Sequence, residues 1–308
     1  MRIVFMGTPD AAVPSLRRCL EDSHEVVAVW TQPDRPSGRG NKIAMSPVKA
    51  FALEHRLPVH QPARLKEEEV KQLFTSHHAD LAVVVAYGRI LSSHYLQAPR
   101  HGCVNVHFSL LPLYRGAAPV NWALVNGESD TGVTTMFIEP ELDSGPILLQ
   151  NKTRIQPKEI APHLMARLSE AGAELLSETL KQLPTLTPRP QRDRDATFAP
   201  ILKKEDGLIR WQHDAFAIER AVRGFQAWPN AYTKLGPLTV TIWNAEPLVR
   251  ESPAEVGEII AAHGDDLIVA CGGNTSLQLL EVQPQAKRRM SARDFLNGVP
   301  LKVGHCFG

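Results

Sequence analysis

Two polar residues, Asn105 and His107, lie two positions apart in an otherwise apolar run. Alternate residues of a β-strand project to the same side of the sheet, so this spacing predicts that both side chains share one face. A carboxylate, Asp143, follows a second strand-like run at residues 131–138. If the two strands are neighbours, an amide, an imidazole and a carboxylate meet at one edge of the sheet.

This set of groups suits acyl or formyl transfer to an amine. An amide donor stabilises the tetrahedral oxyanion, an imidazole moves a proton near neutral pH, and a carboxylate orients or charges the imidazole. The amine is itself the nucleophile, so the chemistry requires no serine or cysteine. The alternative is that Asn105 and His107 only satisfy backbone groups where a strand becomes a loop.

The surrounding residues favour the chemical interpretation. The runs Asn-Val-His-Phe-Ser-Leu-Leu-Pro at residues 105–112 and Leu-Asp-Ser-Gly at 142–145 resemble the folate-dependent formyltransferase family. Arg-Gly-Ala-Ala-Pro at 115–119 resembles the tRNA-directed members of that family. The resemblance implies transfer of a formyl group from 10-formyltetrahydrofolate, a cosubstrate, to the amino group of initiator methionyl-tRNA. It also implies that the three groups named above are catalytic.

On this resemblance, Asn105 and protonated His107 donate to the formyl oxyanion, while Asp143 keeps His107 charged and helps to remove the amine proton. Two other functions stay open. A sugar-nucleotide formyltransferase acting on a 4-amino sugar would share the three residues without needing the basic segments described below. A non-enzymatic RNA-binding protein on a formyltransferase scaffold would not need the three residues at all.

A second segment is expected to bind the folate. The continuous apolar run at residues 81–86 predicts a strand buried on both faces, and ligands of open parallel sheets bind beyond the carboxyl ends of the strands. Residues 87–91 follow directly, and Arg89-Ile90-Leu91 within them resemble the segment that lines the pterin pocket in the family. Phe108, beside the candidate imidazole, is expected to be a packing residue. The predicted folate-binding residues are Tyr87, Gly88, Arg89, Ile90, Leu91, Ser109, Leu110, Leu111, Pro112 and Asp143.

The first candidate for contact with tRNA is the basic segment at residues 31–45. It combines Arg35, Arg39 and Lys42 with two glycines and two prolines, which predicts a loop without regular structure. It resembles the loop by which tRNA-directed family members engage the acceptor end, and on that resemblance Arg39 is the key arginine. A solvated surface loop without a ligand is the alternative.

The second candidate for tRNA contact is a cluster of cations near the carboxyl end. Residues 287–293 carry four cations, of which Lys287, Arg288 and Arg289 are the predicted phosphate contacts. The same run predicts a solvated turn followed by a helix capped by Ser291. We expect both interpretations to hold together.

The order of elements predicts two domains, since 308 residues exceed the usual size of one. Residues 1–183 begin with a strand-helix-strand unit, which predicts an α/β, Rossmann-like domain with a mostly parallel sheet. Within it, Ser46 followed by Pro47 predicts the capped start of a helix, and residues 63–75 predict another helix. Residues 184–205 are rich in proline and predict a stiff linker. Short strand-like runs recur in residues 206–308, which predicts a small OB-like β-barrel that binds tRNA.

The composition excludes several classes of function. A net charge of +1 provides no general basic field, so RNA contact depends on local patches. The four cysteines and twelve histidines show no metal-ligand spacing, and we infer no metal. No signal peptide or long apolar run is present. We therefore expect a cytoplasmic monomer without a membrane partner.

Overall fold

The computed structural model describes residues 1–37, 42–249 and 254–308. Arg39 lies outside the described residues. The chain forms two compact units. The first unit contains Met1–Pro119, Asp130–Arg154 and Met165–Ala199, and the second contains Val120–Ser129, Ile155–Leu164 and Pro200–Gly308.

The α-helices are distributed over both units. They are α1 (Val13–Glu21), α2 (Pro47–Glu54), α3 (Glu68–Thr75), α4 (Ser93–Gln97), α5 (Pro119–Asn126), α6 (Ala161–Gln182), α7 (Ala215–Gly224) and α8 (Ala292–Gly298). No described helix is both long enough and apolar enough to cross a membrane.

The strands of the first unit include those of its central sheet and two short pairs. They are β1 (Arg2–Gly7), β2 (Glu25–Trp30), β3 (Arg35–Ser37), β4 (Lys42–Ala44), β5 (Val59–His60), β6 (Leu81–Val85), β7 (Cys103–His107), β8 (Arg115–Gly116), β9 (Asp130–Phe137), β10 (Ile147–Arg154) and β11 (Phe198–Ala199).

The central sheet of the first unit has seven strands in the order β10-β9-β7-β6-β1-β2-β5. The pairs from β7 to β5 are parallel, whereas β9 and β10 run antiparallel to their neighbours. Every residue of β6 is buried, because helices cover both faces of a sheet built from β-α-β units. This architecture confirms the predicted mostly parallel α/β domain.

Serine caps place two of the helices as predicted. The Ser46 hydroxyl accepts a hydrogen bond from the Lys49 amide at 3.1 Å, and Pro47 occupies the first helical position of α2. The Ser291 hydroxyl accepts from the Asp294 amide at 3.1 Å at the start of α8. Both helix starts agree with the sequence.

Two local predictions in the first unit are wrong. A helix over residues 63–75 is expected from the sequence, but α3 begins only at Glu68. The reason is that the Ala63 and Leu65 carbonyl oxygens accept hydrogen bonds from the Arg89 and Tyr95 side chains at 2.8 Å each. Residues 31–45 are also not wholly irregular.

The second departure is a short hairpin in that basic segment. Strands β3 and β4 pair antiparallel, with Arg35 opposite Ala44 and Ser37 opposite Lys42. An isolated two-stranded hairpin is only marginally stable, so a segment can form one while its local sequence resembles that of a loop. The structure therefore places Arg35 and Lys42 on two paired strands.

The second unit contains an antiparallel sheet in the order β12-β13-β16-β15-β14, with a short strand β17 paired to β16. These strands are β12 (Ala231–Leu235), β13 (Leu238–Val249), β14 (Ile259–His263), β15 (Asp266–Cys271), β16 (Thr275–Pro284) and β17 (Met290–Ser291). Apolar residues of the sheet and of α7 and α8 form one core. The sheet confirms a small β domain after the α/β domain.

Candidate functional site

Strands β7 and β9 are neighbours, which brings the predicted residues to one edge of the sheet. They pair antiparallel, with Asn105 opposite Met136 and His107 opposite Thr134. Asp143 lies in the connection between β9 and β10. The condition set by the sequence, that the two strands be adjacent, is therefore met.

The imidazole of His107 is buried and held by the backbone. Its Nε2 lies 2.9 Å from the carbonyl oxygen of Tyr114. A carbonyl oxygen only accepts, so Nε2 carries a hydrogen and donates it. The other ring nitrogen, Nδ1, lies 3.7 Å from Oδ2 of Asp143. The ring therefore presents Nδ1 to the carboxylate.

The carboxylate of Asp143 is held from the opposite side. Its Oδ2 accepts a hydrogen bond from the Gly116 amide at 2.8 Å, and the residue has a φ of 49°. A backbone amide that donates to a carboxylate forms a charge-assisted bond, which is stronger than a neutral one. Since Tyr114 holds His107 and Gly116 holds Asp143, one short segment positions both side chains.

The side chain of Asn105 differs from these two. It is half-buried, and among the described residues no hydrogen-bond partner of its amide is found. The interpretation that Asn105 only satisfies backbone groups is thus not supported. The Asn105 amide is therefore available to a ligand. In contrast, Nε2 of His107 donates a hydrogen bond to a backbone carbonyl oxygen.

The loop after β7 is fixed by hydrogen bonds from the sheet. The Thr134 hydroxyl donates to the Ser109 carbonyl oxygen at 2.7 Å and accepts from the Leu111 amide at 3.1 Å. The Gln150 amide donates to the Leu111 carbonyl oxygen at 2.9 Å. The Ser109 hydroxyl donates to the Leu113 carbonyl oxygen at 2.6 Å. The hydroxyl of this predicted folate residue is therefore used inside its own loop.

Residues 87–91 leave the carboxyl end of β6 as expected. Burial raises the pKa of the Tyr87 phenol to about 12, so this hydroxyl stays protonated at neutral pH. The Arg89 guanidinium is engaged within the protein: its Nε donates to Oε1 of Gln32 at 3.1 Å, and its Nη1 donates to the Ala63 carbonyl oxygen at 2.8 Å. Ile90 is 86% exposed. The apolar side chain of this segment that is open to a ligand is therefore Ile90.

Phe108 is a packing residue, as the sequence predicts. Its side chain is buried, and a Cβ added at Gly172 of α6 would lie 3.5 Å from its ring. The ring thus contacts α6, on the side of the strand away from Asn105 and His107 in the alternation of β7.

One polar contact of the site comes from the segment that the sequence marks as a linker. The Gln191 side-chain nitrogen donates to the carbonyl oxygens of Asp143 at 2.9 Å and Gly145 at 2.7 Å. Its oxygen accepts from Nε of Arg115 at 3.0 Å. No residue type or spacing near Gln191 signals this role, so sequence reasoning missed it. The nearby pairing of β11 with β8 is likewise not indicated by the local sequence.

The basic hairpin is anchored at its base. Lys49 Nζ lies 2.5 Å from Oδ2 of Asp34, and the Gln61 amide donates to Oδ1 at 2.7 Å. The hydrogen bonds from Lys49 and Gln61 lower the pKa of Asp34 below its usual value. Arg35 is exposed on β3, and Lys42 lies in β4.

The carboxyl-terminal cluster is exposed, and its cations fall into two groups. Arg289 pairs with Glu281 and lies over the Trp243 ring at 5.1 Å. Arg293 pairs with Asp265, with Nε and Oδ1 3.0 Å apart. Within the described part of the chain, the two remaining cations have no ion pair. These are Lys287 and Arg288.

No candidate metal site lies within the described residues. No group of three or more histidine, cysteine, aspartate or glutamate side chains is arranged to hold a metal ion there.

Comparison with known sequences gives the following similarities. Residues 1–180 match the family described as formyl transferase, and residues 201–300 match the formyl transferase C-terminal domain. Methionyl-tRNA formyltransferase of Geobacter metallireducens is 47% identical, with 99% of this chain and 97% of the relative covered. The protein of the same name from Methylococcus capsulatus is 49% identical, with 98% of each covered.

Solved structures show the same fold at low sequence identity. WlaRD, a sugar 3N-formyl transferase, has a TM-score of 0.67 at 15% identity, with 94% of this chain and 99% of that chain covered. HypX from Aquifex aeolicus, solved with tetrahydrofolic acid, has a TM-score of 0.62 at 18% identity. That alignment covers 96% of this chain and 47% of HypX, so this chain spans about half the length of HypX.

Proposed function

Because the chain belongs to the formyl transferase family, we propose that it transfers a formyl group from 10-formyltetrahydrofolate to the amino group of initiator methionyl-tRNA. The products are N-formylmethionyl-tRNA and tetrahydrofolate. Relatives that are named methionyl-tRNA formyltransferase align with nearly the whole chain. The structural observation that carries the proposal is the free Asn105 amide beside the His107 and Asp143 pair.

The amine nitrogen attacks the formyl carbon and forms a tetrahedral oxyanion. Hydrogen-bond donors aimed at such an oxyanion lower the barrier because the negative charge develops there in the transition state. Asn105 supplies one donor. His107 supplies a second from Nδ1 when the ring is protonated, since its Nε2 hydrogen is already given to Tyr114.

Asp143 completes the proton balance of the reaction. Attack makes the amine nitrogen positive, and the carboxylate takes its proton directly or through a water molecule. Collapse of the intermediate breaks the bond to N10 of the folate, which must gain one proton. The proton lost by the amine therefore equals the proton gained by the leaving group, and no external acid is consumed.

The surrounding residues supply binding. We place the pterin against residues 87–91 and 109–112, where Ile90 is the exposed apolar contact. The Arg89 side chain is hydrogen-bonded to Gln32 and to the Ala63 carbonyl oxygen. The cations that contact the tRNA backbone are Arg35, Arg39, Lys42, Lys287, Arg288 and Arg289. A charged tRNA and a reduced folate both belong to the compartment of translation, so we place the protein in the cytoplasm.

A direct assay tests the proposal. Purified protein is given 10-formyltetrahydrofolate with charged initiator methionyl-tRNA, and in a parallel reaction with a nucleotide-linked 4-amino sugar. Transfer to the tRNA alone supports the proposal. Transfer to the sugar alone keeps the chemistry and overturns the substrate, whereas tRNA binding without transfer to either supports a non-enzymatic RNA-binding protein.

A further inference from the structure

The segment that holds the candidate catalytic residues is itself held by residues far along the chain. Tyr114 accepts from His107, and Gly116 donates to Asp143. The residue between them, Arg115, is 5% exposed. Its Nε donates to Gln191, and its Nη1 lies 2.9 Å from Oδ1 of Asp193. The guanidinium therefore connects this segment to residues that sequence reasoning treats as a linker.

Gln191 continues the connection to the Asp143 turn. Both of its amide hydrogens are used, on the carbonyl oxygens of Asp143 and Gly145. The orientation of the amide follows from chemistry, because carbonyl oxygens cannot donate and a guanidinium cannot accept. A single side chain thus joins Arg115 to the backbone of Asp143.

We propose that Gln191 is a positioning residue for Asp143, so that the segment taken as a linker forms part of the catalytic apparatus. This role rests on the proposed function, and Gln191 would act on the reaction through Asp143. The carboxylate of Asp143 is fixed by the Gly116 amide, and its backbone is fixed by the Gln191 amide.

The backbone conformation of Asp143 explains why the hydrogen bond from Gln191 matters. A non-glycine residue with a φ of 49° is in the left-handed region, which costs about 1 kcal/mol or more and persists only where the surroundings impose it. Without Gln191, the two carbonyl oxygens of the turn lose their donor. Relaxation of the turn would then move the carboxylate away from Nδ1 of His107.

A purely structural role for Gln191 is the competing explanation. The same residue would then only anchor residues 184–199 to the rest of the first unit. Its loss would lower thermal stability and leave the turnover of the folded enzyme unchanged. The two explanations differ in kcat and in the hydrogen bond between Gly116 and Asp143.

The experiment compares three variants with the wild-type chain. Gln191→Leu removes the hydrogen bonds that this side chain makes with the Asp143 and Gly145 carbonyl oxygens, with Arg115 Nε and with Met136 Sδ. Gln191→Glu keeps the acceptor for Arg115 but removes the donor to the turn. Gln226→Leu is the matched control, because the buried Gln226 amide also donates to two carbonyl oxygens, those of Val222 at 3.2 Å and Trp243 at 2.9 Å.

We expect kcat for formyl transfer to fall about 10- to 100-fold in both Gln191 variants, as is typical of a misplacement of about 1 Å. The KM values for folate and tRNA should change far less than kcat, and Gln226→Leu should lose stability without a comparable loss of kcat. Hydrogen exchange at the Gly116 amide should be faster in Gln191→Leu than in wild type.

Exchange at Gly116 separates this inference from the proposed function, since it needs no substrate. Unchanged exchange in a folded Gln191→Leu variant overturns the positioning role, and so does an unchanged kcat. Absence of formyl transfer by the wild-type chain contradicts the proposed function instead, whatever the exchange shows.

Discussion

Two regions of the molecule carry polar groups for very different purposes. In the first unit, His107 and Asp143 are buried or half-buried and are held by the backbone atoms of Tyr114 and Gly116. In the second unit, the cations of residues 287–293 are exposed, and the pairs they make are with surface acids. The first region fixes geometry, whereas the second supplies charge.

Because the two regions differ in burial, substitutions in them should affect different measurements. Groups held in a buried site act through orientation, so small displacements alter the rate of the chemical step. Exposed cations act through the field at the surface, which salt screens and which several residues share. Substitutions in the first region should therefore change kcat, and those in the second should change tRNA affinity and its dependence on salt.

Apart from loss of the Asp143 carboxylate, the largest expected effect belongs to Asn105→Ala. Removing one oxyanion donor should lower kcat about 10²- to 10³-fold, with KM little changed, because the amide acts mainly in the transition state. Steady-state kinetics of formyl transfer measures this. Asn151→Ala, an exposed asparagine on β10 of the same sheet, is the control and should keep kcat. Equal kcat for Asn105→Ala and wild type would remove Asn105 from the catalytic set.

Gly116→Ala perturbs the backbone that supports the Asp143 carboxylate. Gly116 has a φ of 125°, and an added Cβ would lie 2.5 Å from the Ala199 carbonyl oxygen. The strain should lower the free energy of unfolding by about 3 kcal/mol, and displacement of the amide that binds Asp143 should also lower kcat.

Gly102→Ala is the matched control for this strain. Gly102 also has a positive φ, 75°, but the nearest atom to an added Cβ is 3.8 Å away. Only the backbone cost of about 1 kcal/mol should appear in denaturant unfolding, with kcat unchanged. Equal losses of stability in both variants would show that the contact with Ala199 does not matter.

The smallest effects are expected in the basic cluster, and they should differ among its members. Lys287→Ala and Arg288→Ala should each weaken tRNA binding and reduce the slope of log affinity against log salt by about 1, since each removes a free cation. Arg289→Ala should change the slope less, because Glu281 already neutralises part of that charge. Filter binding or fluorescence titration at several salt concentrations measures the slopes. Identical slopes for all three variants and wild type would contradict a phosphate-binding role.

Local patterns predicted much of the fold from the sequence. The apolar run of β6 and the serines that cap α2 and α8 depend on neighbours in sequence, and the structure agrees with them. The pairing of β7 with β9 could be stated only as a condition, because strand order is a long-range property. The three candidate site residues followed from a two-residue spacing and a resemblance.

The remaining features depend on contacts between distant residues. The start of α3 is displaced by hydrogen bonds from Arg89 and Tyr95 to backbone carbonyls that a helix would have used. Gln191 reaches a turn 46 and 48 residues earlier in the chain. Neither contact changes the local periodicity of the sequence, so neither was predictable from it.

The proposed catalytic role of Asp143 is tested most directly by the rate of formyl transfer in a single turnover of Asp143→Asn with methionyl-tRNA and 10-formyltetrahydrofolate. The substitution keeps the shape of the side chain but removes the charge and the base. We expect the rate to fall about 10²- to 10⁴-fold, whereas Glu141→Gln, at an exposed acid two residues earlier, should keep the wild-type rate. A wild-type rate in Asp143→Asn would contradict the proposed roles of Asp143 and of the residues that hold it.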